Sequence, residues 1–443
     1  MKMVFFFLFP MIVSFAGDHG FSGTASERHK AMAEYYTPPR EELSWWDNPY
    51  MTGDWWGARN RLAREGVTFG LTYVTDLAAN IYGGKAKGFA YAGSFGFDMN
   101  VDFGKFTPLK GFSFYTSVVW RTGTSLSADK IGNQYPVQQV YGGQNVRLNE
   151  LYLKEVFLDE YLILKGGRLN GGNDFLQSEL YYKFMNNGFD GNPIAIFFNT
   201  PFTAYPNATW GVVMEFRPYF KRILAKVAAY VAQEDVAANR YHGLNWSFHG
   251  SDGALLITEW AYQVNQLKGD TGYPGNYRAG AFYLTGSKGD KYLGGSYHGN
   301  YGYYFLIDQM VYQSSHSDRG LTPFVALLCA PKDRNLFPFF VASGLVYQGL
   351  FPSRPKDYTN LGFIYGKYST DMRKGEEIAK QVGISYKFGN MPQNFEALIE
   401  LNHWFQINPW FVIMPDLQYV INPKGFGTIK NAWVIGAQIS LTL

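Results

Sequence analysis

Apolar and polar side chains alternate along one segment after another of this chain, from Val67 almost to the carboxyl terminus. Successive side chains of a β-strand point to opposite faces, so this period of two predicts strands with one apolar and one polar face. One face of the segment 94–103 carries Phe95, Phe97, Met99, Val101 and Phe103, and the other carries Ser94, Gly96, Asp98, Asn100 and Asp102. The same pattern returns in residues 112–121, 381–388, 395–402 and 433–443. The sequence therefore predicts an all-β protein.

The length of the alternating region separates two all-β folds. A soluble sandwich of about 100 residues also alternates, because its apolar faces pack against each other. Here the alternation continues for more than 350 residues without a linker or an internal repeat. Charged residues make up 17% of the chain, against roughly 25% in soluble proteins. We therefore expect a transmembrane antiparallel β-barrel in residues 67–443, with about 16 strands at roughly 27 residues per strand and connection.

The amino terminus has the features of an exported protein. Lys2 precedes an apolar run that ends at Phe15, and Ala16 supplies the small residue expected before a cleavage site. Residues 1–16 are therefore predicted to be a signal peptide, with cleavage after Ala25 as the alternative. Residues 17–66 are expected to form a periplasmic leader, ending in a short helix that Asp54 caps and Gly66 terminates.

Several short motifs follow one another along about 390 residues of the chain. They are Thr52-Gly-Asp-Trp-Trp-Gly-Ala-Arg59, Arg61-Leu-Ala-Arg-Glu-Gly-Val67, Arg147-Leu-Asn-Glu150, Gly167-Arg-Leu169, Gly344-Leu-Val-Tyr-Gln-Gly349 and Pro415-Asp-Leu-Gln-Tyr-Val-Ile-Asn-Pro423. In these motifs the chain resembles the OprB-type carbohydrate-selective porins. One departure is the final Leu443, because such barrels usually end in an aromatic residue that the assembly machinery reads.

The resemblance implies a 16-stranded barrel in the bacterial outer membrane. Such a barrel admits glucose and similar monosaccharides by facilitated diffusion into the periplasm. The implied partners are small carbohydrates and outer-membrane lipid, and the implied assembly is a homotrimer. A non-selective or ion-selective general porin is the alternative function, and a barrel-borne lipase-like enzyme or adhesin is a more remote one.

A sugar-selective lumen needs polar groups for the hydroxyls and aromatic faces for the C–H side of the ring, and its binding must stay weak enough for release. Two long stretches without periodicity, Thr122–Val146 and Asn170–Trp210, are expected to fold inward as a constriction. The candidate sugar-binding residues are Arg121, Arg147, Glu150, Arg168, Glu400 and Trp404. For each arginine the alternative is a charge network that only stabilises the wall.

The sequence offers no site for catalysis, metal or cofactor. Ser314, His316 and Asp318 are neighbours in one loop, whereas the members of a hydrolytic triad meet through the fold. Neither metal-ligand spacing nor a phosphate-binding glycine loop is present. The formal net charge of +3 gives no reason to expect nucleic acid as a partner. We therefore do not expect an enzyme.

Overall fold

A computed structural model describes residues 44–443 except 190, 220, 221, 234, 248, 250, 251, 268, 315–318 and 384–391. The strands of this described part form one antiparallel sheet that closes on itself, because the first strand pairs with both the second and the last. The sixteen strands are β1 (Val67–Gly84), β2 (Gly88–Asp102), β3 (Phe112–Gly123), β4 (Asn145–Phe157), β5 (Leu162–Leu169), β6 (Thr209–Phe216), β7 (Ile223–Val231), β8 (Ala254–Val264), β9 (Gly275–Asp290), β10 (Ser296–Gln309, continued by Tyr312–Gln313), β11 (Gly320–Cys329), β12 (Phe339–Gln348), β13 (Tyr358–Lys367), β14 (Phe395–Asn408), β15 (Phe411–Ile421) and β16 (Lys430–Thr442). The predicted barrel is confirmed.

The alternation of apolar and polar residues in the sequence corresponds to the outer and inner faces of the barrel wall. Trp120, Leu401 and Ile435 point outward and are exposed, whereas their neighbours Glu400 and Val434 point inward and are buried. A closed barrel satisfies every strand N–H and C=O within the wall, which is what a bilayer requires of a spanning structure. The apolar outer face then meets lipid, and the polar inner face surrounds the lumen.

Three α-helices accompany the barrel in the described part of the chain: α1 (Ala58–Arg64), α2 (Ala195–Asn199) and α3 (Thr370–Gln381). None of the helices in this part is long and apolar enough to cross a membrane. The strand predicted at 381–388 is wrong at its start, because Gln381 ends α3 and Val382 caps it. Ser369 begins this helix by accepting hydrogen bonds from the backbone N–H groups of Asp371 and Met372. Residues 384–391 lie outside the described residues.

The two ends of the barrel differ in the length of their connections. One end, which also carries Leu443 and the start of β1, has short connections such as 158–161 and 409–410, and we call it the turn end. The opposite loop end carries the long connections 124–144, 170–208, 232–253 and 368–394. In outer-membrane barrels the short turns are periplasmic and the long loops extracellular.

The segment 44–64, which we call the N-terminal clasp, packs against the turn end where the barrel closes. The Met51 N–H donates to the carbonyl oxygen of Thr442 at 2.8 Å, and the Trp45 ring lies 4.5 Å from that of Trp410. Gly57, and not Asp54, occupies the N-cap position of α1, but the Asp54 carboxylate accepts the backbone N–H of Asn60 in the first turn at 2.9 Å, as a capping side chain does. The segment proposed as the signal peptide lies outside the described residues.

Arg59 is the buried centre of the N-terminal clasp. Its guanidinium donates to the carbonyl oxygens of Leu443 (3.0 Å) and Phe69 (3.3 Å), which belong to the end and the beginning of the barrel. The same group lies 3.8 Å from the ring centroid of Tyr50 and 4.1 Å from that of Trp55. One side chain thus joins both edges of the closing seam by hydrogen bonds and cation–π contacts.

Candidate functional site

Two loops from the loop end fold into the barrel. They are residues 124–144 between β3 and β4 and residues 170–208 between β5 and β6, which are the two stretches in which the sequence predicted a constriction. Their apolar side chains are buried inside the barrel, among them Tyr135, Phe175, Tyr181, Phe184 and Phe189. The rings of Phe184 and Phe189 stack at 4.5 Å and contact Phe324 of β11 at 5.6 and 6.1 Å. The lumen is therefore narrowed by packed loop side chains.

Glu400 of β14 holds the loop 170–208 by its backbone. Its carboxylate accepts the N–H groups of Met185 (2.6 Å) and Asn186 (3.1 Å) and the side-chain amide of Asn402 (3.0 Å). A buried N–H without an acceptor is costly, and a charged acceptor makes the stronger hydrogen bond. Glu400 is fully buried by these contacts, so the structure places it as an anchor of the loop.

Glu396 and Asp76 hold the loop 124–144 in the same way. Glu396, four residues before Glu400 on the same face of β14, accepts the N–H groups of Gln134 (2.8 Å) and Tyr135 (2.9 Å). Asp76 of β1 accepts the N–H of Val140 at 3.0 Å. Carboxylates on two strands of the wall, β1 and β14, thus hold this loop in place.

Glu150 of β4 anchors the start of the loop 170–208. Its carboxylate accepts the N–H of Asn170 (2.9 Å) and the side-chain amide of Asn173 (2.7 Å). Four strands further around the barrel, Glu259 of β8 accepts the N–H of Leu176 at 3.0 Å. This loop is therefore held from three sides, by Glu150, Glu259 and Glu400.

Arg121 and Arg147 lie on the inner face of β3 and β4 near the loop end. Arg121 donates to the carbonyl oxygens of Gln139 (3.2 Å) and Tyr141 (3.3 Å), and its guanidinium lies 5.1 Å from the Tyr205 ring. Arg147 hydrogen-bonds to the side chain of Asn207 and donates to the carbonyl oxygen of Ala237 at 3.1 Å and to Asn239 Oδ1 at 3.1 Å. The two arginines therefore connect the loops 124–144, 170–208 and 232–253 to the wall.

Arg168 does not join this inner group. It has the same parity in β5 as Leu164, which is exposed on the outer face, and it pairs with Trp210 of β6. Its guanidinium donates to the carbonyl oxygens of Asn245 (2.7 Å) and Ala208 (2.6 Å) beside the ring of Trp246. The loop 232–253 thus covers Arg168 on the outer side of the wall, so the structure does not bring this candidate together with Arg121 and Arg147.

Trp404 points inward, as its position in the alternation predicts. The loop 170–208 covers it completely, and the ammonium of Lys183 lies 4.2 Å from the Trp404 ring and 4.3 Å from the Tyr358 ring. Asn360 donates to the carbonyl oxygen of Lys183 at 3.1 Å and so fixes this turn of the loop. Burial lowers the pKa of Lys183 to about 8. Lys183 was missed by the sequence analysis, because alternation assigns no direction within a loop.

The described residues contain no group of three or more His, Cys, Asp and Glu side chains arranged to hold a metal ion. His316 lies outside the described residues. The inner face of the barrel instead carries loop anchors, arginines and aromatic rings. These groups can exclude solutes by size and can exchange hydrogen bonds with a polar solute.

Comparisons with known proteins agree with this architecture. The carbohydrate-selective porin OprB family matches residues 86–443. Porin B of Pseudomonas aeruginosa is 30% identical over 450 residues, which cover 95% of each chain, and the putative porin QuiX of Acinetobacter baylyi is 25% identical over 89% of this chain and 93% of its own. The high-pH structure of OprB of Pseudomonas putida superposes with a TM-score of 0.82 at 27% identity, covering 90% of this chain and all of the other.

The family assignment decides between the functions that the sequence left open. It favours the sugar-selective channel over a general porin, and it leaves no place for an enzyme. Fold, inward loops and family thus agree. The chain belongs to the carbohydrate-selective porins of the OprB family, the β-barrel channels through which small sugars diffuse across the bacterial outer membrane.

Proposed function

We propose that this porin prefers glucose-like monosaccharides and that its selectivity is set by the inward loops and the inner residues that hold them. Arg121 and Arg147 supply donors for sugar hydroxyls near the loop end. Glu150 and Glu400 affect sugar binding indirectly, because they fix the position of the loop 170–208. Trp404 also acts indirectly, because its ring holds the ammonium of Lys183 in place. The role of Arg168 is to hold the loop 232–253 from outside.

The observation that carries this proposal is the anchoring of the loop 170–208. Backbone N–H groups of this loop bind Glu150, Glu259 and Glu400, each at 3.1 Å or less. A loop held at so many points presents a fixed opening. A fixed opening with arginine donors and aromatic faces suits a small polar solute that must bind weakly and leave.

The test is single-channel conductance in a planar bilayer with glucose titrated into the salt solution. We expect the ion current to fall saturably with glucose and to respond less to a larger disaccharide. In Arg121→Ala the glucose concentration that halves the current should rise about threefold, as for the loss of one hydrogen bond of roughly 0.7 kcal/mol. Arg64→Ala, at the exposed end of α1, is the control. A current that no sugar reduces would reject the proposed site.

The charge state of Lys183 predicts a pH dependence. With its pKa at about 8, its ammonium is charged at pH 7 and mostly neutral at pH 9. A unit charge roughly 8 Å from a permeating ion contributes about 0.5 kcal/mol in water, with opposite sign for an anion and a cation, so the anion-over-cation permeability ratio should fall about fourfold between these pH values. Lys183→Arg should abolish the step and keep the high ratio, because arginine stays charged. An equal step in Lys183→Met would assign the titration to another group.

Orientation and assembly belong to the same proposal. We place the turn end and the N-terminal clasp in the periplasm, which is supported by the short connections at that end. The division into signal peptide (1–16), leader (17–66) and barrel (67–443) and the homotrimer stay predictions. Mass spectrometry of the purified mature protein, intact and under native conditions, gives the cleavage site and the number of chains.

A further inference from the structure

A patch of basic and apolar side chains lies at the turn end, outside the lumen. It is built from the N-terminal clasp and from the connection 103–111 between β2 and β3. We call it the rim patch; it consists of exposed Trp56, Phe106, Leu109, Arg61, Arg64, Lys105 and Lys110. Neither the sugar pathway nor the closure of the barrel uses these side chains.

The two parts of the rim patch form one surface. The N–H of Asp102, at the end of β2, donates to the carbonyl oxygen of Gly66 at 2.7 Å. Gly66 has a φ of +94°, and a Cβ added there would lie 2.9 Å from the Cβ of Lys105. Only glycine permits this approach, and it brings the end of α1 against the connection 103–111.

Trp56 is held in an exposed position by its backbone. Its exposed fraction is 104%, and both Trp55 and Trp56 have left-handed backbone conformations, with φ of 50° and 56°. Residues other than glycine rarely adopt this backbone conformation. An indole is poorly accommodated in water but is favoured at a membrane–water interface, where its ring meets apolar chains and its N–H stays wet.

The rim patch is continuous with the lipid-facing surface of the barrel. The Trp55 ring, next to Trp56, lies 6.3 Å from Phe69 on the outer face of β1. On the other side of the patch the Phe106 ring lies 5.7 Å from Phe103, which in turn lies 5.3 Å from Phe112 at the start of β3. The patch therefore lies where the bilayer surface meets the rim.

The charge of the rim patch selects among membrane lipids. Residues 44–66 and 103–111 carry four exposed basic side chains and two exposed carboxylates, Asp47 and Glu65, which leaves an exposed surface charge of +2; Arg59 is buried and Asp54 is half-buried. Juxtamembrane basic groups attract anionic headgroups. We propose that the rim patch binds anionic phospholipid, with Trp56 at headgroup level and the basic side chains on the phosphates.

Quenching of tryptophan emission by brominated lipid tests this proposal. The full chain is reconstituted in vesicles of phosphatidylcholine and phosphatidylglycerol at one fixed ratio, with bromine near the headgroup on one lipid or the other. The Trp56 signal is the difference between the wild type and Trp56→Phe. We expect brominated phosphatidylglycerol to quench this signal at least roughly twofold more, per mole, than brominated phosphatidylcholine.

The matched variants remove equal charge at the two ends. Arg61→Gln, Arg64→Gln and Lys105→Gln together should abolish the preference for phosphatidylglycerol. Lys87→Gln, Lys374→Gln and Lys380→Gln, exposed at the loop end, should leave it unchanged. All these variants should keep the glucose block, so failure here is distinct from failure of the sugar site.

Three results would overturn the proposal. Equal quenching by the two brominated lipids would remove the headgroup preference, and unchanged quenching in Trp56→Phe would place Trp56 outside the membrane. The third is sedimentation of the wild type with purified peptidoglycan, lost in the triple variant of the rim patch while quenching is equal. That result would assign the patch to the cell-wall polymer.

Discussion

Replacing Glu400 by alanine is expected to raise the single-channel conductance several-fold and to remove most of the discrimination between glucose and a disaccharide. The change leaves the buried N–H groups of Met185 and Asn186 without their acceptor. At about 1–3 kcal/mol for each unsatisfied group, the loop 170–208 loses roughly 2–6 kcal/mol of local stability. The ladder of sixteen paired strands does not depend on this carboxylate, so the barrel should still insert.

The controls separate release of the loop from loss of charge. Glu65→Ala removes an exposed carboxylate at the turn end and should conduct as the wild type does. Glu400→Gln keeps one acceptor oxygen for two N–H donors and should give an intermediate conductance. If Glu400→Ala conducts and discriminates as the wild type does, the loop 170–208 is held without Glu400 and our account of the constriction is wrong.

Replacing Arg59 by alanine is expected to lower the stability of the closed barrel by about 2–4 kcal/mol. The change removes a side chain that is 97% buried, since only 3% of Arg59 is exposed. With it go the hydrogen bonds to the carbonyl oxygens of Leu443 and Phe69 and the contacts with the rings of Tyr50 and Trp55. The loss falls on the seam between β1 and β16, where the barrel closes.

The measurement is the temperature at which the purified porin shifts from its folded to its unfolded electrophoretic mobility. Arg61→Ala is the matched control, because Arg61 lies in the same helix and is exposed. We expect a clear decrease for Arg59→Ala and none for Arg61→Ala. Equal midpoints for Arg59→Ala and the wild type would show that the N-terminal clasp does not stabilise closure.

Most of the wall could be predicted from the sequence, because lipid and lumen impose opposite polarity on successive residues. The inward direction of Glu400 and Trp404 follows from that alternation. What Glu400 meets could not be predicted, since Met185 precedes it by 215 residues. Only the closed fold brings the two together.

The failures lie where the alternating signal is weak. Strand β5 is eight residues long and contains Gly166 and Gly167, so polarity does not distinguish its two faces, and Arg168 became a candidate through the motif Gly167-Arg-Leu169 and not through alternation. The helix α3 lies in a loop at the loop end, where no bilayer imposes alternation, and Ser369 starts it with a cap. In both places local chemistry determines the structure.

The wall carboxylates bind the inward loops through main-chain N–H groups, and every residue except proline has such a donor. The anchors therefore specify where a loop runs without specifying which side chains it carries. Residues between the pinned points can be exchanged while the path of the loop is retained. A barrel built in this way can acquire a new solute preference by changes in one loop, without redesign of the sixteen strands that support it.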